Sequence, residues 1–360
     1  MQLLAKGVAD LYLTDRPEYS PYLKLIERFQ PFDLDTTEVP INAPDGMDKP
    51  LAEFICNIPT DICDLVIDSH VVLFWSDRDV TKQLPQDIVH AVIEYIELNV
   101  GGQMVSRWYG DLLSVWEEIT DDPVSKSVND YMTGKSLDYT GEIISNLKRS
   151  GEFLFRLPLF GNGIFNAFPL CSLNKHTVKL IFRTNEVAGT TGKFTGSVRI
   201  RGGYLSGKHR EYFTKIPQTY IYPKVQYERL YFEKNNISLQ DPVFALVLLV
   251  RSGSNTELRL IECVTSFKVY LNDIEFVDSR KVVAEYESAT FCRYTARFHF
   301  FARKISAECI PNGAVNFSRF RSQKCIVETD GTEGSRALKK LYALSHGVAI
   351  FKGGLLGLPF

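Results

Sequence analysis

A chain of 360 residues with 45% apolar side chains has ample material for one large core or two medium ones. Its 41 basic residues stand against 43 acidic ones, a net charge of −2 with no basic block, which argues against direct packaging of a nucleic acid lattice. The longest strictly apolar run, Val243 to Val250, is far too short to cross a bilayer, and the start MQLLAKGVADLYLTD lacks the features of a signal peptide.

In chain order, Phe32 to Ile41 reads as a strand, Pro44-Asp45-Gly46 as a turn, and Asp64 to Trp75 as a longer apolar strand ending in the polar loop Ser76–Lys82. Tyr95 to Val100 alternates, with Ile96, Leu98 and Val100 facing one way and Tyr95, Glu97 and Asn99 the other. Gly101-Gly102 reverses the chain into a second extended run, Gln103 to Trp108. Asp111 is a good N-cap for a short amphipathic helix, with Leu112, Val115, Trp116 and Ile119 on one face, expected to lie on the sheet.

The stretch Asp121–Asn146 is polar and turn-rich. Phe153, Phe155, Leu157 and Leu159 then alternate as a strand until Gly161-Asn162-Gly163. Further strands carry Val178, Leu180 and Phe182, then Val198 and Ile200, on their inward faces. The mostly polar run Lys208–Thr219, with Pro217 inside it, predicts a linker near residues 213–222. Beyond it, Val243–Val250, Leu258–Val264, Phe267–Leu271 and Tyr294–Ala302 are strand-like. Many strands, few helices and many Gly/Pro turns argue for an all-β sandwich fold, and the length fits two sandwiches. No sequence repeat relates the halves, so any duplication is one of shape.

Candidate chemistry is sparse. The seven cysteines (Cys56, Cys63, Cys171, Cys263, Cys292, Cys309, Cys325) show no metal-ligand spacing and read as small core residues kept reduced. The six histidines (His70, His90, His176, His209, His299, His346) are isolated, with no His-x-His pair. His299 lies on the polar parity of its strand, which predicts a solvent or interface position. Asp121-Asp122 reads as a solvated loop, and Gly101-Gly102 lacks the Gly-Lys-Ser/Thr context of a phosphate loop. No nucleophile elbow is present. The sequons at Asn236 and Asn316 are expected to stay unmodified in a cytosolic protein. No catalytic, cofactor-binding or metal-binding residue is expected, and the protein is expected not to be an enzyme.

Several motifs, in order, resemble one family. Gly7, Asp10, Tyr12-Leu13-Thr14 and Pro17 match an amino-terminal motif. Ile93-Glu94-Tyr95-Ile96-Glu97-Leu98 with Val100-Gly101-Gly102-Gln103, Tyr109-Gly110-Asp111 and Trp116-Glu117-Glu118-Ile119-Thr120 match a first-domain signature. Leu157-Pro158-Leu159, Pro169-Leu170, His176-Thr177-Val178, Tyr204-Leu205, Arg210-Glu211-Tyr212-Phe213 and Asp241-Pro242-Val243 follow. Pro311-Asn312-Gly313-Ala314-Val315-Asn316-Phe317-Ser318-Arg319 is the most specific, and Leu341-Tyr342-Ala343-Leu344 to Gly353-Gly354-Leu355 closes the series. Together these resemble the double jelly-roll major capsid proteins of nucleocytoplasmic large DNA viruses, of the iridovirus and phycodnavirus kind. The resemblance places the Asn316 sequon inside a packed structural motif. The chain departs from the family at Asp15-Arg16 and at Phe320-Arg321, and its short spacings in the second half imply a flat outer face.

The resemblance implies two tandem eight-stranded jelly-roll sandwiches with short helices in loops: an arm over residues 1–30, a first domain over 31–213 and a second over 214–360. It also implies a major capsid protein forming a homotrimeric, pseudo-hexagonal capsomer that tiles an icosahedral shell. The implied partners are the chain itself, neighbouring capsomers, minor capsid and penton proteins, and an inner membrane-associated layer, without direct nucleic acid binding. Synthesis and assembly are placed in the host cytoplasm, and the product in the virion. The helix after Asp111 and the arm before Pro44 are the expected contact or underside surfaces. Two alternatives stand beside this reading: a minor capsid or scaffold protein of the same fold, and a β-sandwich carbohydrate-binding module or hydrolase.

Overall fold

The computed structural model describes residues 32–43, 47, 52–76, 88–120, 132–133, 151–159, 166–185, 193–251, 264–280, 296–303, 311–329 and 338–358. The amino-terminal arm up to residue 31, the turn at 44–46, residues 77–82, Asp121-Asp122, Gly161–Gly163 and most of the strand expected before Val264 lie outside these residues.

The first sandwich is built from β1 (Phe32–Pro40), β2 (Glu53–Ile58), β3 (Leu65–Ser76), β4 (Ile93–Val100), β5 (Gln103–Tyr109), β6 (Glu152–Arg156), β7 (Val178–Thr184) and β8 (Lys193–Leu205). They form two sheets, ordered β1-β8-β3-β6 and β2-β7-β4-β5. First pairs with eighth, second with seventh, third with sixth and fourth with fifth, so the topology is one long antiparallel hairpin rolled into a sandwich: a jelly roll. Alternation drives it. Val71, Leu73, Phe153, Phe155, Val198 and Ile200 of one sheet and Cys56, Ile58, Ile96, Leu98, Leu180 and Phe182 of the other are all buried.

The second sandwich repeats the plan with β9 (Gln218–Leu230), β10 (Lys234–Asn236), β11 (Pro242–Arg251), β12 (Val264–Leu271), β13 (Ile274–Arg280), β14 (Ala296–Phe300), β16 (Gln323–Thr329) and β17 (Leu338–Lys352). Here β9 pairs with β17, β10 with β16, β11 with β14 and β12 with β13, the same nesting. Short strands β15 (Val315–Asn316) and β18 (Leu355–Gly357) add to one sheet, giving sheets of six and four.

The equivalent hairpins β4–β5 and β12–β13 turn through Gly101-Gly102 (φ 60° and 85°) and Asn272-Asp273 (φ 50° and 65°). Positive φ at both central residues matches the twist of the strands, which is why glycine and Asn/Asp stand there. Asn272 adds a side-chain clamp, its Oδ1 accepting from the N–H groups of Arg321 and Ser322 at 3.1 Å each.

Three helices matter: α1 (Ile88–Val92), α2 (Gly110–Thr120) and α3 (Gly207–Lys215). The stretch read as a linker near 213–222 is mostly ordered secondary structure, since α3 runs to Lys215 and β9 starts at Gln218. Helix α3 buries no residue. It is held by Ser172 Oγ donating to Phe213 O at 2.7 Å and by Arg210 pairing with Asp64 at 3.0 Å. A helix without an apolar stripe reads as loop in the sequence.

Candidate assembly surfaces

Helix α2 joins the two sandwiches. It follows β5, and Gly110 at its start passes so close to the end of α1 that a Cβ there would overlap the carbonyl oxygens of His90 and Ile93. Only glycine allows the chain to leave β5 in that direction. Residues 110–117 are all buried, including Leu113 and Ser114, which lie off the predicted stripe. The helix is therefore a wedge inside the chain and not the contact or underside surface expected for it.

Each end of the wedge is pinned by a carboxylate. Asp111 sits in the first turn of the helix instead of capping it from outside. Its Oδ2 accepts from Lys340 Nζ at 2.7 Å, and its Oδ1 from Tyr342 Oη at 2.8 Å and Leu112 N at 3.0 Å. Lys340 and Tyr342 lie on β17, so this carboxylate bridges the halves. A negative charge in the first turn also suits the helix dipole. Glu117, buried at the far end, accepts from the N–H of Arg156 at 3.3 Å on β6, an edge strand of the first sandwich. Covering that edge removes a free pairing site.

Rings fill the rest of the seam. Tyr109 packs on Tyr227 and Tyr342 at 5.1 and 5.5 Å, and Trp116 stands between Trp108 and Phe244 at 5.1 and 6.4 Å. Ser106 Oγ donates to Pro223 O at 3.1 Å. Further along, Phe168 meets Tyr220 and Phe351 at 5.4 and 5.3 Å, and Asn166 donates to Ile221 O. The outer face of the second sandwich's β9-β17-β11 sheet is thus covered by the first sandwich, and β11 from Val243 to Val250 is buried throughout. An unbroken apolar run is what a strand covered on both faces requires.

The matching face of the first sandwich is open among the described residues. A cleft of about 500 Å³ lies on the outer side of β1-β8-β3-β6, lined by Leu34, Asp35, Thr36, Asp68, His70, Leu154, Arg199 and Arg201. Arg156 pairs with Asp68 at 3.2 Å, whereas Arg199 and Arg201 are exposed and have no anionic partner among the described residues. Burial, followed by the nearby Arg156 and Arg199 guanidiniums, holds the His70 imidazole below its ordinary range against the opposing pull of Asp68. On the second sandwich the β13 edge exposes Ile274 and Phe276, 68% and 45% accessible.

The residues singled out in the sequence do not gather into a reactive centre. Among the described residues no group of three or more His, Cys, Asp or Glu is placed to hold a metal ion. Cys56, Cys63, Cys171 and Cys325 are buried free thiols, pushed up by burial to about 12, 12, 11 and 12, far from thiolate reactivity. The other three cysteines lie outside the described residues. His299 is half-buried against Phe301 at 4.8 Å and held low by that burial, so it does not take the open solvent position. Arg297, of the same parity, is buried and donates to Val264 O at 2.8 Å, so polar residues here face the interior. In the Asn316 sequon, Asn316 Oδ1 accepts from Ser318 N at 3.0 Å and Phe317 is fully buried.

Comparison with known proteins gives this arrangement its relatives. The family described as major capsid protein N-terminus matches residues 74–199. The major capsid protein of Paramecium bursaria Chlorella virus 1 is 25% identical over 243 residues, which is 63% of this chain and 52% of that protein. That of Pyramimonas orientalis virus is 22% identical over 291 residues, 76% of this chain and 70% of its own length. The chain thus spans about half the length of the first of these relatives. Among solved structures, the VP54 protein of the same chlorovirus superposes with a TM-score of 0.76 at 16% identity, over 94% of this chain and 99% of that one. The Faustovirus major capsid protein gives 0.66 at 9% identity, over 96% and 94%. The likeness in fold therefore extends over both sandwiches, and these relatives are structural proteins and not enzymes. The chain is a double jelly-roll protein of the kind formed by the major capsid proteins of nucleocytoplasmic large DNA viruses.

Proposed function

We propose that this protein is a major capsid protein whose work is self-assembly: three copies form a pseudo-hexagonal capsomer, and capsomers tile an icosahedral shell. The observation that carries this reading is the sequence kinship with viral major capsid proteins on a fold of two like-wound sandwiches. Two such sandwiches in three copies present six similar blocks around one axis, which is how a three-fold particle fills a six-fold site. The seam makes each copy a stiff two-block unit, as a tile must be. In this reading the chain divides into an arm over 1–30, a first domain over 31–213 and a second over 214–360, and the change from one set of nested strands to the next between β8 and β9 supports the boundary between the two domains. Neighbouring capsomers, minor capsid and penton proteins and an inner membrane-associated layer are the partners in this reading, with assembly in the host cytoplasm. Light scattering on the purified chain tests it: a stable species of about three times 40.9 kDa is expected, and a strict monomer at high concentration overturns it.

A further inference from the structure

Antiparallel winding sends the connections after β2, β4 and β6, and the end of β8, to one end of the first sandwich. The connections after β10, β12 and β14, and the end of β17, gather in the same way on the second. The two ends lie side by side, since Lys175 N donates to Gly354 O at 3.1 Å and Leu356 N to His176 Nδ1 at 3.2 Å. Helix α3 lies at this end between β8 and β9, tied to the loop before Lys175 by Ser172 Oγ. Three segments thus share one end of the molecule: 206–218 around α3, 174–176, and 352–358.

Their composition is basic and apolar together. Lys175, Lys208, Lys215 and Lys352 are all exposed, interleaved with Tyr212, Ile216 and Leu355, which are 51%, 46% and 44% accessible. The only carboxylate in the three segments is Glu211, and Lys215 already holds it at 3.2 Å. Lys175, Lys208 and Lys352 have no anionic partner among the described residues. Since α3 buries no residue, the core gives no reason for Tyr212 to stand on it.

We propose that this end of the molecule is a docking surface for a membrane carrying anionic lipid. The inference rests on the reading above, in which a membrane-associated layer is a partner, and names the surface that meets it. Charge selects the partner, because a negatively charged bilayer surface attracts each lysine within a Debye length. The long lysine stems let the ammonium groups stay among headgroups while apolar neighbours sink deeper. Tyrosine suits that boundary, with an apolar ring and a polar hydroxyl. A nucleic acid backbone would satisfy the lysines but leave Ile216 and Leu355 in water, whereas the acyl boundary takes both. Three such patches on one capsomer act as linked sites, so a weak single contact becomes a firm one.

The test is flotation of the full chain with vesicles of phosphatidylcholine alone, and of phosphatidylcholine with phosphatidylserine. The native chain is expected to float with the anionic vesicles only, and to be released by about 1 M salt, where the Debye length is about 3 Å. Lys208→Gln with Lys215→Gln, and Lys175→Gln with Lys352→Gln, should each lower the partition at least about tenfold. Tyr212→Ser with Ile216→Ser should lower it too. Arg229→Gln with Lys234→Gln removes the same charge beside the β9–β10 turn at the far end, and should leave it unchanged. Circular dichroism and melting establish that each pair folds, and Lys208→Gln or Lys352→Gln alone stands in for a pair that does not. Equal binding to both vesicles, binding to neither, or an equal loss in the far-end pair overturns the proposal. Light scattering on the same samples keeps the two readings apart. A native trimer that floats with neither vesicle leaves the capsomer standing, whereas a native monomer overturns the capsomer and its flotation still decides the docking surface.

Discussion

Replacing Asp111 by alanine tests whether the wedge carboxylate locks the sandwiches together. The side chain is 3% exposed and accepts from Lys340 and Tyr342, both on the other sandwich. Its loss takes an acceptor from the fully buried Tyr342 hydroxyl, at about 1–3 kcal/mol. Breaking a fully buried ion pair costs about 3–5 kcal/mol, but Lys340 is 22% exposed and can turn towards water, so roughly 1–2 kcal/mol is the reasonable share. The sum, about 2–5 kcal/mol, is a large part of a typical folding free energy of about 5–15 kcal/mol. Urea titration followed by tryptophan fluorescence measures it, since Trp108 and Trp116 lie at the seam. The single native transition should also begin to split, as the sandwiches lose their coupling. A cycle with Tyr342→Phe isolates the contact: Asp111→Ala should cost about 1–2 kcal/mol less in that background. Additive costs, within about 0.5 kcal/mol, would refute the lock.

Gly110→Ala should cost about 3 kcal/mol or more, because the new methyl meets rigid backbone carbonyls. Gly102→Ala, with open space but φ of 85°, should cost only about 1–2 kcal/mol, and thermal melting of the pair reads the difference. Burial holds His299 and His346 below their ordinary value of 6.5, so the unfolded chain takes up protons first as pH falls. Their contribution is whole above pH 6.5 and is lost progressively below it. His346, packed on Phe244 at 4.7 Å, can be replaced by phenylalanine. The melting temperature of His346→Phe should fall less between about pH 7 and pH 5 than that of the native chain, and an unchanged slope would count against this assignment.

Strands whose apolar residues alternate with polar ones are legible in the sequence. Ile96, Leu98 and Val100, or Val178, Leu180 and Phe182, announce their core by alternation, and all are buried. Legibility fails where burial has a second, distant cause. Asp111 and Lys340 are 229 residues apart, and no local pattern links them. The one available hint is Leu113, an apolar residue outside the helix stripe, which a helix lying on a single sheet does not need. Polarity misleads at His299, because Arg297 and His299 face inward on a strand whose other face is also covered. Helix α3 is hidden because tertiary hydrogen bonds and an ion pair hold it, without an apolar stripe. The cleft and the β13 edge cannot be found from sequence at all, since they are defined by which of the described strands pack against one another.

The wedge has a consequence for how the protein is made. Its tryptophan-bearing helix leaves the ribosome long before the strand that will receive it: at about 5–20 residues per second, 229 residues take roughly 10–45 seconds. Throughout that interval Asp111 lacks Lys340 and Tyr342, its partners on β17, while neighbouring nascent chains expose the same helix. A wedge that finds a neighbour's socket first yields a swapped tangle instead of a tile. High-level expression of this chain should therefore improve with slow emergence or with a companion that shields the helix until β17 arrives.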